Sequence, residues 1–109
     1  MKISIEDFQS VELRAGTIVR AEPNKKAKKP ALFLEIDFGA LGLRTSSAQI
    51  ATDYQPSGLV GRQVVAVMNL PALNVAGVES QVLVVAAVDG IHTSLLLPDP
   101  PVSNGAAIS

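Results

Sequence analysis

The chain has no cysteine and no tryptophan, and among its 109 residues only three phenylalanines, one tyrosine and one histidine. Without a thiol there is no disulfide, no cysteine nucleophile and no sulfur-ligated zinc, and a reducing compartment is permitted. The lone His92 has no carboxylates at zinc or calcium spacing around it, so neither a metal nor a cofactor is expected. A serine nucleophile would need that same histidine held within hydrogen-bond reach by a third group, which gives no reason to expect a catalytic residue. No apolar run approaches the roughly 20 residues of a membrane helix. The opening Met1-Lys2-Ile3-Ser4-Ile5-Glu6-Asp7 turns acidic before any apolar stretch, unlike a secretory leader. These absences predict a non-enzymatic, cytoplasmic protein with no membrane insertion.

An excess of one charge is also missing. Nine Lys and Arg stand against ten Asp and Glu, for a net charge of -1, which excludes a protein that coats nucleic acid through bulk positive charge. Distribution says more, because Lys25, Lys26, Lys28 and Lys29 fall within five positions while the acids are scattered. Such a cluster is either a solvated loop between strands or a local site for a few phosphates.

What is present is apolar sequence with strand periodicity. A hydrophobic fraction of 48% over 109 residues without a linker predicts one domain, 1–109. Ser4 followed three residues later by Asp7 forms a capping box for a helix of one or two turns within residues 1–12. Leu13, Ala15, Thr17, Val19 and Ala21 alternate with Arg14, Gly16, Ile18, Arg20 and Glu22, which reads as a strand with the first set on its apolar face. Pro23 and Asn24 end it, and the lysines follow. Leu32, Leu34, Ile36 and Phe38 then mark the inner face of a second strand, and a turn at 39–42 leads to a third over 43–47. The stretch 48–61 loses its period and is a connector. The valine-rich runs 63–70 and 81–88 read as buried strands, with a loop between them bracketed by Pro71 and Gly77. Asp89-Gly90 signals a hairpin returning over 91–97, and Pro98, Pro100 and Pro101 open an extended tail.

This pattern predicts an all-β fold: a small Greek-key barrel of the oligonucleotide/oligosaccharide-binding type (OB-fold) over 13–88, with a short N-terminal helix and a C-terminal extension over 89–109. The lysine loop and the 71–80 loop would then be the ligand loops. Two polar segments interrupt the apolar sequence, Ser46-Ser47-Ala48-Gln49-Ile50, and Asn69-Leu70-Pro71 followed by Gly77-Val78-Glu79-Ser80-Gln81. Their hydroxyl and amide groups suit the reading of nucleotide edges or peptide backbone rather than bond chemistry. Taken alone, each is equally a strand end, turn or loop junction bonding to its own backbone. Ser46 and Ser47 must face opposite sides of a strand, so only one can meet a ligand. Glu79 repels phosphate and would accept from a base amine. Of the aromatics, Phe8 and Phe38 are assigned to core or interface, leaving Phe33 and Tyr54 as candidates for base stacking, each with a packing role as the alternative.

The stretch Val11-Glu12-Leu13-Arg14-Ala15-Gly16-Thr17-Ile18, the two polar segments, Ile36-Asp37-Phe38-Gly39 and Pro98-Asp99-Pro100-Pro101 together resemble the tRNA-binding domain family, found free-standing and appended to methionyl- and phenylalanyl-tRNA synthetases. The match spans nearly the whole chain and is strongest toward a branch of export-related chaperones. The resemblance implies a homodimer that binds tRNA or tRNA-like RNA and, in that branch, holds exported preproteins or unfolded polypeptides. The alternatives it leaves are a tRNA-tethering accessory for a synthetase, or a peptide-holding chaperone with incidental RNA binding. Expected RNA-binding residues are Lys25, Lys26, Lys28, Lys29, Arg44, Ser46, Ser47, Gln49, Asn69, Glu79, Ser80 and Gln81. Many relatives continue the second motif with Gly-Met where this chain has Val82-Leu83. The apolar excess beyond 88 predicts a self-associating surface of Phe8, Leu95, Leu96, Leu97, Pro98, Pro100, Pro101 and Val102, with packing of the tail across its own barrel as the alternative.

Overall fold

The computed structural model describes residues 1–109. Helix α1 (Ile5–Gln9) begins at Ser4, whose hydroxyl accepts from the Asp7 amide while the Asp7 carboxylate accepts from the Ser4 amide, the expected capping box. It buries no residue.

Ten strands follow: β1 (Leu13–Pro23), β2 (Leu32–Asp37), β3 (Leu43–Ala48), β4 (Gln63–Val67), β5 (Leu73–Val75), β6 (Val78–Ser80), β7 (Leu83–Val84), β8 (Ala86–Asp89), β9 (His92–Leu95) and β10 (Ala107–Ile108). The main sheet runs β3-β2-β1-β4-β7, and β10 adds to β1. It curls into a nearly closed all-β barrel around Ile18, Leu34, Ile36, Phe38, Leu59 and Val64, all fully buried. Leu59 comes from the connector, beside the 3-10 turn Pro56–Gly58, and plugs the barrel from there. Strand β2 alternates as its sequence predicts, with Leu32, Leu34 and Ile36 inward and Phe33, Glu35 and Asp37 outward.

Strand β1 departs from simple alternation. Its register against β2 shifts between Ile18 and Arg20, a β-bulge at Val19. Ile18 is fully buried and Val19 is 42% exposed, the reverse of the predicted faces. The extra residue exchanges inner and outer sides beyond it, so Ala21 packs on the core while Arg20 and Glu22 face out. Ala15 is buried on the other side of β1 because the tail covers it.

Three further expectations change. The 71–80 segment is a β5–β6 hairpin, turned by Ala76 and Gly77 at positive φ. The 81–88 run is not one buried strand: it divides at Val85 into β7 and β8, and Leu83 and Val88 are exposed. The third concerns the residues assigned to self-association: the tail runs along its own barrel and one of those residues is core. The Gly105 amide donates to the Ala15 carbonyl, Thr17 Oγ1 donates to Asn104 Oδ1 at 2.6 Å, and the Gln63 side chain bonds both ways with the Val102 backbone. Leu95, predicted to lie in a subunit interface, is a core residue at 4% exposure, whereas Leu96, Leu97, Val102 and Phe8 stay exposed. Pro100 and Pro101 are exposed and Pro98 is half-buried.

Asp89-Gly90 does turn a hairpin, with Asp89 paired to His92. This β8–β9 unit is a sheet of its own, joined to the connector by side chains. Asp53 accepts from the Thr93 amide and meets His92 Nδ1, each at 2.8 Å, and the Tyr54 hydroxyl accepts from the Leu95 amide at 2.9 Å. Tyr54 therefore packs rather than stacks, and Arg62 lies over its ring.

Gly16 sits where an added Cβ would lie 2.7 Å from both Ile36 and Phe38. Gly16→Ala is expected to destabilise the fold by about 1–3 kcal/mol through overpacking, measured by denaturant unfolding. Gly58→Ala, with nothing within 4 Å of the new atom, serves as the control of little effect. The amide of Thr93, then His92, holds the Asp53 carboxyl below the usual carboxylate range. The stabilisation this gives is complete at neutral pH and is lost as pH falls below about 4 toward the lowered value. Thermal midpoints of Asp53→Asn should lack that part of the acid-induced drop seen in the parent.

Candidate nucleic-acid interface

The loop after β1 is built on Asn24, which is 8% exposed. Its amide donates to the Ala31 carbonyl and its carbonyl accepts from Ala27, closing the turn. Its side-chain Nδ2 donates to Ser47 Oγ at 3.3 Å and to the Val75 carbonyl at 3.2 Å. One buried amide thus ties the lysine loop to the end of β3 and to the β5–β6 hairpin.

Lys25, Lys26, Lys28 and Lys29 are exposed, and none takes part in an ion pair. Lys26, Lys28 and Lys29 line a groove of about 540 Å³ together with Ser47, Gln49 and the hairpin residue Asn74. No carboxylate lines it. Lys25 and Lys28 also border an adjoining groove of about 430 Å³ that reaches Tyr54. Unpaired ammonium groups beside amide and hydroxyl groups suit a phosphate backbone with polar groups next to it.

The other predicted residues divide. Ser46 faces the core at 1% exposure, so of the serine pair only Ser47 reaches the groove. Ser80 and Gln81 close the barrel: Ser80 Oγ accepts from the Ser47 amide, and Gln81 Oε1 from the Thr45 amide, at 3.0 Å each. The Gln81 and Val82 amides both donate to the Thr45 carbonyl. Val82 is a core residue at 3% exposure. Asn69 accepts from the Glu12 amide and donates to the Ser10 carbonyl, fastening α1 and the start of β1. It lies at the other end of β1 from the lysines, about 30 Å along an 11-residue strand. Arg44 is occupied with the Leu41 carbonyl at 3.2 Å and does not line the groove. Glu79 is exposed and borders a separate hollow beside Arg20 and Phe33.

Sequence reasoning missed Asn24 as an anchor and Asn74 as a lining residue. The only signal for Asn24 was its place between Pro23 and the lysines, where a stop to the strand accounted for it. Asn74 lay in a segment read as loop. Also missed was a cleft of about 690 Å³ between the end of β3 and the β8–β9 hairpin, with Leu83, Val88 and Ile91 as its apolar wall and Lys29, Ser47 and Gln49 shared with the lysine groove.

A small barrel whose basic first loop and late hairpin converge on one groove is architecture of the oligonucleotide-binding class. Residues 13–107 match the family described as "Putative tRNA binding domain", and the chain belongs to that family. It is of the CsaA type. Over its whole length it superposes on the whole of the chaperone CsaA from Bacillus anthracis, with 46% identity and a TM-score of 0.95. Over 99% of its length it superposes on all of the CsaA chaperone protein from Picrophilus torridus, with 37% identity and a TM-score of 0.93. It is also 37% identical, over 97% of its length, to the methionine–tRNA ligase of Methanococcoides burtonii, of which it spans only 16%.

Asn24→Ala leaves the Val75 carbonyl and the Ser47 hydroxyl without their donor. We expect a loss of about 1–3 kcal/mol in unfolding free energy, with faster amide exchange at Ala27 than at core strand β2.

Proposed function

We propose that this protein is a non-enzymatic, cytoplasmic RNA-binding module that takes tRNA or tRNA-like RNA along the lysine groove. The observation that carries the reading is the convergence of three unpaired lysines with Ser47, Gln49 and Asn74 in one carboxylate-free groove. Membership in the tRNA-binding domain family supports it. The groove supplies phosphate contacts and few base contacts, so recognition follows folded RNA shape more than sequence.

A second activity, holding unfolded or exported polypeptides, is favoured by the apolar cleft, where Val88 and Ile91 are 76% and 78% exposed. The likeness to CsaA chaperones supports it. A homodimer would cover part of the remaining apolar surface at Leu96, Leu97 and Val102 and present two copies of each groove. A tethering role beside a synthetase is the alternative that the ligase relatives suggest, and it predicts a stably co-purifying enzyme.

Paired substitution Lys28→Ala and Lys29→Ala should leave the fold intact, weaken tRNA binding, and flatten the plot of log affinity against log salt by roughly 1.4–1.8, at 0.7–0.9 per phosphate. A slope unchanged from the parent would remove the groove from RNA binding. Capture of an unfolded polypeptide should persist in the same variant and survive high salt.

A further inference from the structure

The bulge at Val19 sets a second feature on the outer face of the sheet. Without it Arg20 and Glu22 would continue the inward row of Ile18; with it they stand beside Phe33, which is opposite Glu22 in the register. The Arg20 guanidinium lies 5.3 Å from the centre of the Phe33 ring, and Glu22 holds it by an ion pair of 3.1 Å. A cation stacked on an aromatic face in this way presents a flat, charged platform.

Glu79 lines the same hollow as Arg20 and Phe33. Its main-chain carbonyl accepts from Thr45 Oγ1 at 2.7 Å, and one carboxylate oxygen accepts from Gln81 Nε2 at 3.1 Å. The carboxylate is thereby oriented and retains acceptor capacity. Arg20, Glu22, Phe33, Thr45, Glu79 and Gln81 line a hollow of about 510 Å³, open to solvent on the same side of the barrel as the hairpin tip at Gly77, with the Glu22 carboxylate engaged by Arg20. A carboxylate is a poor neighbour for phosphate but a good acceptor for an amine, and a guanidinium backed by an aromatic ring is a surface on which a nucleobase stacks.

We propose that this hollow is a subsite for one unpaired base of the bound RNA, stacked on the Arg20 guanidinium that Phe33 backs and selected by Glu79 for an exocyclic amine. Adenine, cytosine and guanine carry such an amine. Uracil instead offers one N–H between two carbonyls, which the carboxylate repels. The subsite rests on the RNA-binding reading above and adds base selection to a groove that contacts phosphate.

The test uses the full chain with ten-residue oligomers of adenylate, cytidylate and uridylate, and with total tRNA, each across a salt series. The parent should bind oligoadenylate and oligocytidylate more tightly than oligouridylate. Phe33→Leu, which keeps apolar bulk on the sheet, should lose roughly 5- to 100-fold in affinity for the first two with no change in salt slope. Glu79→Gln should reduce the discrimination against oligouridylate, a readout that mere loss of packing would not move, and unchanged thermal midpoints would show both variants folded. Undiminished affinity in Phe33→Leu, or unchanged discrimination in Glu79→Gln, while tRNA still binds with the parent's salt slope, would overturn the subsite and leave the lysine groove standing. Absence of all RNA binding in the parent would overturn both.

Discussion

Strand β1 is the constraint on which the rest of the molecule depends. It is 11 residues long and pairs with β2, β4 and β10, so it passes through the barrel wall and also receives the tail. A strand that long cannot keep one straight register against partners that curve away on both sides. The bulge at Val19 resolves this, adding twist and exchanging faces midway. Before it, Gly16 and Ile18 face the core; after it, Ala21 does, and Arg20 and Glu22 are released to the surface. The close approach of Phe38 and Ile36 over Gly16 belongs to the same strand.

Barrel closure is a second consequence of curvature in a short sheet. The far edge of β3 does not receive a full strand partner. It receives the backbone of residues 81–82 and the side chains of Ser80 and Gln81, which stand in for ladder groups. An unpaired edge would leave buried amides without acceptors and invite pairing with another chain. Short polar side chains at this junction therefore have a structural duty. The side chains of Lys26, Lys28, Lys29 and Gln49, by contrast, remain exposed.

The two open faces differ in chemistry although both border the end of β3. The lysine groove is cationic and free of carboxylates, whereas the cleft against the β8–β9 hairpin adds Leu83, Val88 and Ile91 to Lys29, Ser47 and Gln49, which line both. Electrostatic attraction at the first is screened by salt within about 8 Å at physiological ionic strength, while apolar burial at the second is not. The β8–β9 hairpin, held to the connector through Asp53 and Tyr54, forms one wall of the second face.

Local patterning in the amino-acid sequence determined much of this architecture: the Ser4–Asp7 cap, the alternation of β2, the Asp89-Gly90 hairpin, and the lysine loop as an exposed positive site. Each of these rests on neighbours a few residues apart, and local steric and hydrogen-bonding preferences suffice for it. The tertiary structure alone decided the rest. Serine, asparagine and glutamine carry the same donors and acceptors whether they meet a ligand or a backbone. Only the position of β3 beside residues 80–82, and of α1 beside Asn69, shows that Ser80, Gln81 and Asn69 are bound within the fold. A bulge leaves no mark in a period-two pattern except a break, so the outward turn of Arg20 onto Phe33 was invisible until β1 and β2 were paired. Asn24 likewise became an anchor only when folding brought Ser47 and Val75 to it from 23 and 51 residues away.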